Sequence, residues 1–232
     1  MSLLVVNHHF VTSEVYDGGI YPVDPTQFNT NIKALFSNGW LPISLNDLSK
    51  PCFLSEEENY FLLTFDDGLL CHYETVGPLL DAHGIEGIFF IPTCILVGEP
   101  ATTHQLQYIR SKTPDPELSD WLFRRFPDVA RIPLDEQALA TQYPYDDTDA
   151  ARLKFLLNFA LPPKVHDSII GDLFSEFGGD NKFFSETYMN QGQISALAKL
   201  HEIGSHGHSH KPLSSLTNEE LRSELQMSKV ML

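Results

Sequence analysis

The chain has 232 residues, 42% of them hydrophobic and 20% charged, the make-up of an ordinary globular domain with enough length to bury a core. Lysine and arginine number 15 against 31 aspartates and glutamates, a formal charge of −16, and a field of that sign repels phosphate backbones and anionic lipid surfaces. It excludes nucleic acid as an expected partner and favours a neutral or cationic ligand. No segment reaches the roughly 20 apolar residues of a membrane span, and the short apolar start lacks a basic n-region, so a soluble, cytoplasmic protein is expected. Cys52, Cys71 and Cys94 are odd in number and form no C-x-x-C pair; reduced structural thiols are expected rather than a disulfide framework or zinc ribbon.

Along the chain, Leu3–Asn7 is a short apolar strand pattern ending at His8 and His9. Asp24-Pro25-Thr26-Gln27 has a capping aspartate, a proline suited to the first helical position and a glutamine placed for a capping box. Phe28, Ile32, Leu35 and Phe36 follow at helical spacing, and Gly39 supplies the left-handed stop. Trp40–Leu45 reads as a strand, and Ser44 to Asp47 as the start of a brief helix. Tyr60–Phe65 is a continuous apolar run, the pattern of a strand covered on both faces of a parallel sheet; it stops at Asp66-Asp67-Gly68. A helix over Tyr73–His83, with Val76, Leu79 and Leu80 inward and Gly84 as its stop, leads to a second buried strand over Ile85–Pro92. Strand, helix and strand with short connections make a βαβ unit.

Residues 93–187 interrupt that rhythm with weak helical patterns at Leu118–Phe126, Ala150–Phe159 and Val165–Phe177, and are expected to be a helical insertion, a lid or cap, within a single α/β domain spanning 1–232. The alternation then resumes: a helix over Asn190–Leu200, a strand over His201–Ser205, the segment His206-Gly207-His208-Ser209-His210, and a last helix opened by the capping box Thr217-Asn218-Glu219-Glu220 with Leu221, Leu225 and Leu232 on its inward side.

Two adjacent carboxylates at the end of a buried strand repel each other unless a cation is near, and strand C-termini are where parallel α/β folds build their sites. Taken alone, Asp66-Asp67-Gly68 is explained equally well by helix capping. His206 and His210, four apart in a turn set by glycine and proline, supply imidazoles suited to zinc and its neighbours. Two histidines and one carboxylate leave coordination positions open, which points to Asp67, His206 and His210 as ligands and leaves Asp66 as the base. His208 is the alternative ligand, and His8 and His9 are either a solvated pair or substrate contacts.

Leu62-Leu63-Thr64-Phe65-Asp66-Asp67-Gly68 resembles the first motif of the polysaccharide deacetylases, carbohydrate esterase family four, and His201 through His210 resembles their second. The helix before the second motif and the stretches Asn7-His8-His9 and Pro42-Ile43-Ser44-Leu45 are also similar to family members. The resemblance implies a distorted (β/α) barrel, one divalent ion on Asp67, His206 and His210 (zinc, with cobalt or another divalent ion as alternatives), Asp66 as base, and an N-acetylated carbohydrate as substrate. Members continue with an arginine-bearing strand that orients the base, an Asp-Trp segment and a Leu-x-His segment whose histidine is the general acid. None of these follows the second motif here, so a barrel short of about three strands is expected, either truncated, open, or completed by an oligomer or partner. The function expected is metal-dependent hydrolysis of carbohydrate N-acetyl groups. The alternatives are a catalytically incomplete module that binds metal and sugar, and a metal-independent amidohydrolase on a similar barrel.

Overall fold

The computed structural model describes residues 2–14, 20–50, 55–161, 163–178 and 182–232; Cys52 lies outside them. The α/β class expected from the strand-helix alternation holds. Five strands, β1 (Ser2–His8), β2 (Trp40–Pro42), β3 (Asn59–Asp66), β4 (Ile88–Ile91) and β5 (Glu202–Ser205), run parallel in one sheet. Strand β3 is central. β1 pairs along one edge from Ser2↔Asn59 to His8↔Phe65, while β2 and β4 share the other edge at its two ends. β4 in turn pairs with β5 from Ile88↔Glu202 to Ile91↔Ser205. Among the described residues the sheet is open, with β1 paired to β3 alone.

The described contacts fall into two compact units, one of residues 2–14, 21–101 and 182–232, the other of 102–178 with Ile20. The first unit carries α1 (Pro25–Ser37), α2 (Leu45–Leu48) and α3 (Gly77–His83). Asp24 caps α1 by accepting from the amides of Thr26 and Gln27, but the Gln27 side chain bonds Asn31 one turn on and does not close the expected box. The short α2 has a reciprocal box between Ser44 and Asp47. A π-helical turn over His72–Val76 precedes α3, which stops at Gly84 in the left-handed region.

The second unit is built by α4 (Thr102–Lys112), α5 (Asp115–Arg125), α6 (Glu136–Gln142), α7 (Thr148–Phe155) and α8 (Pro163–Phe177). It has its own apolar core, including Ile109, Leu118, Leu122, Leu153, Ile169 and Leu173. The buried Arg110 guanidinium donates to both carboxylate oxygens of Asp115 at 2.7 and 2.6 Å, the forked geometry that offsets the burial of a charge.

The chain returns to the first unit through α9 (Phe183–Thr187), α10 (Gln191–Leu197) and α11 (Asn218–Met231). The capping box at Thr217 forms, yet the inward side of α11 differs from expectation. Leu225 and Leu232 are about half exposed, and the buried positions are Glu224 and Ser228. Among the described residues no helix is long and apolar enough to cross a membrane.

The continuous apolar run of β3 is covered on both faces, as its composition requires. Tyr60 and Leu62 pack with Ile43 and Ile88 on one side, and Phe61 and Phe65 meet Phe36, Phe28 and Phe89 on the other. Phe65 is fully buried and stacked on Phe89 at 4.8 Å between centroids, one residue before the acidic pair. Replacing Phe65 by Ala should therefore destabilise the protein by about 3–5 kcal/mol, measured as a shift in the urea unfolding midpoint; an unchanged midpoint would contradict this packing.

Candidate metal centre at the strand ends

Parallel pairing in register sets the site. Side chains alternate along a strand, so Asn7 and His9 at the end of β1 share a face with Thr64 and Asp66 of β3, while His8 turns to the other face. There His8 stacks on Phe65 and meets Phe28 edge-on, and burial lowers its pKa. On the shared face the Asn7 amide donates to Asp66 Oδ2 at 2.9 Å and to Thr64 Oγ1 at 3.1 Å.

The chain reverses at once after Asp66. Asp67 has a φ of 82° and Gly68 of 64°. The left-handed conformation favours glycine at 68, and a Cβ there would also have to displace Ile95 Cδ1, 2.7 Å away. The turn is tied down by the Met189 amide, which donates to the Gly68 carbonyl at 3.0 Å. Asp67 is thereby folded under the strand end, 3% exposed, whereas the Asp66 side chain keeps 16% of its surface.

The second motif arrives through β5. The His206 amide donates to Ile91, and the amides of Thr93 and Cys94 donate to the Gly207 and His208 carbonyls at 3.0 and 2.9 Å. His206 Nε2 stands 3.3 Å from Asp67 Oδ1, and His210 Nε2 stands 2.8 Å from the same oxygen. One donor atom from each of Asp67, His206 and His210 lies within 4.8 Å of the others. His208 turns away and pairs its Nδ1 with Thr93 Oγ1 at 2.9 Å.

The donor set fits a small divalent cation. Ligand atoms roughly 2.0–2.2 Å from a tetrahedral ion sit about 3.3–3.5 Å apart, close to the spacing between His206 and Asp67. A carboxylate with two neutral imidazoles suits zinc or a neighbouring transition ion and leaves positions open. Backbone strain coincides with this set: Asp67 and His210 (φ 59°) are the described non-glycine residues with positive φ. Such conformations cost on the order of 1–3 kcal/mol each and collect where function requires a fixed geometry.

Of two further histidines, the sequence leaves His9 between a solvated pair and a substrate contact and gives His72 no role. His9 Nε2 lies 4.0 Å from Asp66 Oδ2 and 3.8 Å from Asp67 Oδ2, with the His9 side chain 54% exposed. The fully buried His72, held neutral by burial with its pKa pushed down to about 4, donates from Nε2 to the His9 carbonyl at 2.8 Å and so fixes that strand end. The parity of β1 against β3 was the available signal for Asn7 and His9; His72 carried none, because a histidine in a helical pattern reads as surface. Cys71 and Cys94 are free thiols whose pKa burial pushes up to about 11, leaving them protonated and inert.

No protein-family profile matches the chain, and no curated protein does. Among solved structures the chain is similar to the Streptococcus pyogenes deacetylase PplD in complex with acetate, at 12% identity and a TM-score of 0.49, over 99% of this chain and 66% of that one. It is also similar to a de-N-acetylase from Aggregatibacter actinomycetemcomitans, at 16% identity and a TM-score of 0.44, over 88% of this chain and 54% of that one. The deacetylase domain of BpsB from Bordetella bronchiseptica matches at 16% identity and a TM-score of 0.45, over 98% and 70%. The chain thus spans no more than two thirds of the length of the first two.

The site's own electrostatics set a pH dependence. His206 has its pKa raised above 6.5, chiefly by its hydrogen bond to Asp67, with burial opposing. A raised pKa stabilises the metal-free fold fully below pH 6.5, and that contribution is lost as pH rises through the higher folded value. A cation needs the same nitrogen deprotonated. The His206 contribution to metal-free stability, read as the difference from His206→Asn so that the opposite contributions of His8 and His72 cancel, should therefore fall on going from pH 6 to 8, while zinc affinity rises over the same interval. Urea melts in chelator and zinc titrations at the two pH values check this, and zinc affinity falling with pH would contradict it.

Proposed function

We propose that the protein is a metal-dependent hydrolase that removes N-acetyl groups from a carbohydrate. The observation that carries the proposal is the gathering of Asp67, His206 and His210 around one point, with a second carboxylate, Asp66, left beside them and held by Asn7. Two motifs resembling those of polysaccharide deacetylases can share that chemistry only if they approach each other, and the reading is supported by Asp67 Oδ1 lying 3.3 Å from His206 Nε2 and 2.8 Å from His210 Nε2.

A divalent ion on Asp67, His206 and His210 would supply Lewis acidity, polarising the acetamide carbonyl and acidifying a water. Asp66 is the base that takes the proton of the attacking water, and the Asn7 amide keeps its Oδ2 turned toward the site. His9, beside both carboxylates and half open to solvent, is placed to deliver a proton to the leaving nitrogen. Attack by water and cleavage of the C–N bond give acetate and a free amino sugar. Asp67 is sunk at the strand end, whereas His206, His210 and Asp66 are partly exposed and His9 is half open, so a neutral sugar can approach the reacting groups from that side without displacing the buried carboxylate.

On this account His9, at the end of the first strand, serves as the general acid. That weakens the alternative of a module that binds metal and sugar without turnover. Residues 93–187 remain, as a proposal, a helical insertion of one deacetylase-like domain, and the glycan, any partner and any completing oligomer are likewise proposals.

Purified protein loaded with zinc should release acetate from an N-acetylglucosamine oligomer. Asp66→Asn and His9→Gln should each lower kcat by about 10²–10⁴-fold while zinc stays bound at near one equivalent. Stoichiometric zinc with no acetate released by the unaltered protein would leave the binding module as the account, and undiminished turnover in Asp66→Asn would overturn the assignment of the base.

A further inference from the structure

The inward face of α11 is polar where an apolar stripe was expected. Glu224 is 7% exposed and Ser228 1%, while Leu225, Met227, Val230 and Leu232 on the same helix are open to solvent. Burying a carboxylate in preference to available leucines is unfavourable unless hydrogen bonds compensate. Here the compensation comes from the segment between the two histidines. Glu224 Oε1 accepts from the amides of His208 and Ser209, both at 2.7 Å, and Oε2 accepts from the Ser209 hydroxyl at 2.9 Å. Gly207, with a φ of 77°, completes the fit: a Cβ there would lie 3.0 Å from Glu224 Oε1. One turn further along, Ser228 is hydrogen-bonded to Ser205, whose hydroxyl also accepts from the Gly207 amide at 3.1 Å.

These contacts converge on three residues, Gly207 to Ser209, that separate His206 from His210. The opposite side of the same segment is held by the turn after β4, through Thr93 and Cys94. His210 itself sits in a left-handed conformation, which a free loop would abandon. We infer that Glu224 is the positioning residue of the metal centre: its carboxylate clamps the His206–His210 loop so that both imidazoles face Asp67, and it makes the α11 helix part of the cation site without touching the cation. The inference rests on the metal reading given above. It also explains why the buried register of α11 is set by Glu224 and Ser228 rather than by its leucines.

Zinc affinity of the full chain, measured by competition with a chromophoric chelator, tests the inference without reference to turnover. Glu224→Ala should bind zinc about 10–100-fold more weakly, the usual effect of removing an outer partner of a ligand. Glu224→Gln should recover most of that loss, since its amide oxygen can still accept from both backbone amides. Should Glu224→Ala fail to fold by circular dichroism, Ser209→Ala, which removes one hydrogen bond of the clamp, is measured in its place and should weaken zinc severalfold. A merely structural glutamate would lower stability in chelator and leave the affinity of the folded variants unchanged. Wild-type affinity in Glu224→Ala, or in Ser209→Ala where that variant is used, would overturn the inference, as would Glu224→Gln binding no better than Glu224→Ala. A wild-type chain that takes up no zinc would instead overturn the metal reading and this inference with it.

Discussion

A carboxylate folded under the end of a fully covered strand, within hydrogen-bonding distance of one imidazole and 3.3 Å from a second, is the constraint around which the first unit is arranged. Asp67 is almost without solvent and has another carboxylate as its chain neighbour, a combination that repels in a poorly solvated setting. Positive charge nearby offsets that repulsion. In the metal-free protein the hydrogen bond to Asp67 raises the pKa of His206, against the opposing effect of burial. A divalent cation would supply positive charge more fully, using the same atoms.

Holding this arrangement requires rigidity at both strand ends, and the structure provides it from opposite directions. At β3 the turn is set by Gly68, in the left-handed region that favours glycine, and by the Met189 amide on its carbonyl. At β5 the loop carrying the imidazoles is pinned between the turn after β4 and the buried face of α11. Among the described residues, the two non-glycine residues with positive φ, Asp67 and His210, belong to the proposed ligand set. Strain of that kind persists only when surrounding hydrogen bonds over-determine the conformation. His72 extends the same logic to β1: a neutral, fully buried imidazole fixes the carbonyl of His9 and with it the side chain beside the carboxylates.

Much of this was legible in the amino-acid order. The continuous apolar run 60–65 announced a central parallel strand, and the signals at Asp24, Ser44 and Thr217 each mark a helix start, while the box at Asn190 shows only in the structure. The pairing of an acidic strand end with a spaced histidine pair pointed to the residues that meet. What escaped was information held in register and in long-range contacts. Asn7 acquires its role only once β1 is aligned against β3, and His9 only because alternation carries it to the face of Asp66. The inward face of α11 was misjudged because hydrophobic spacing favours Leu225 and Leu232, whereas unpaired amides in a distant loop decide in favour of Glu224. In the second unit, α4 and α6 carry too few apolar residues per turn to stand out, although packing recruits Leu106, Ile109 and Leu139 from them.

The claim underlying all of this is that one oxygen of Asp67 and the Nε2 atoms of His206 and His210 grip a single cation while Asp66 stays free. Anomalous diffraction from zinc-soaked crystals tests it most directly. The account predicts one strong peak about 2.0–2.2 Å from those three atoms, with Asp66 outside the coordination shell. A peak ligated by Asp66 in place of the histidines, or no peak at this position in crystals exposed to excess zinc, would contradict it.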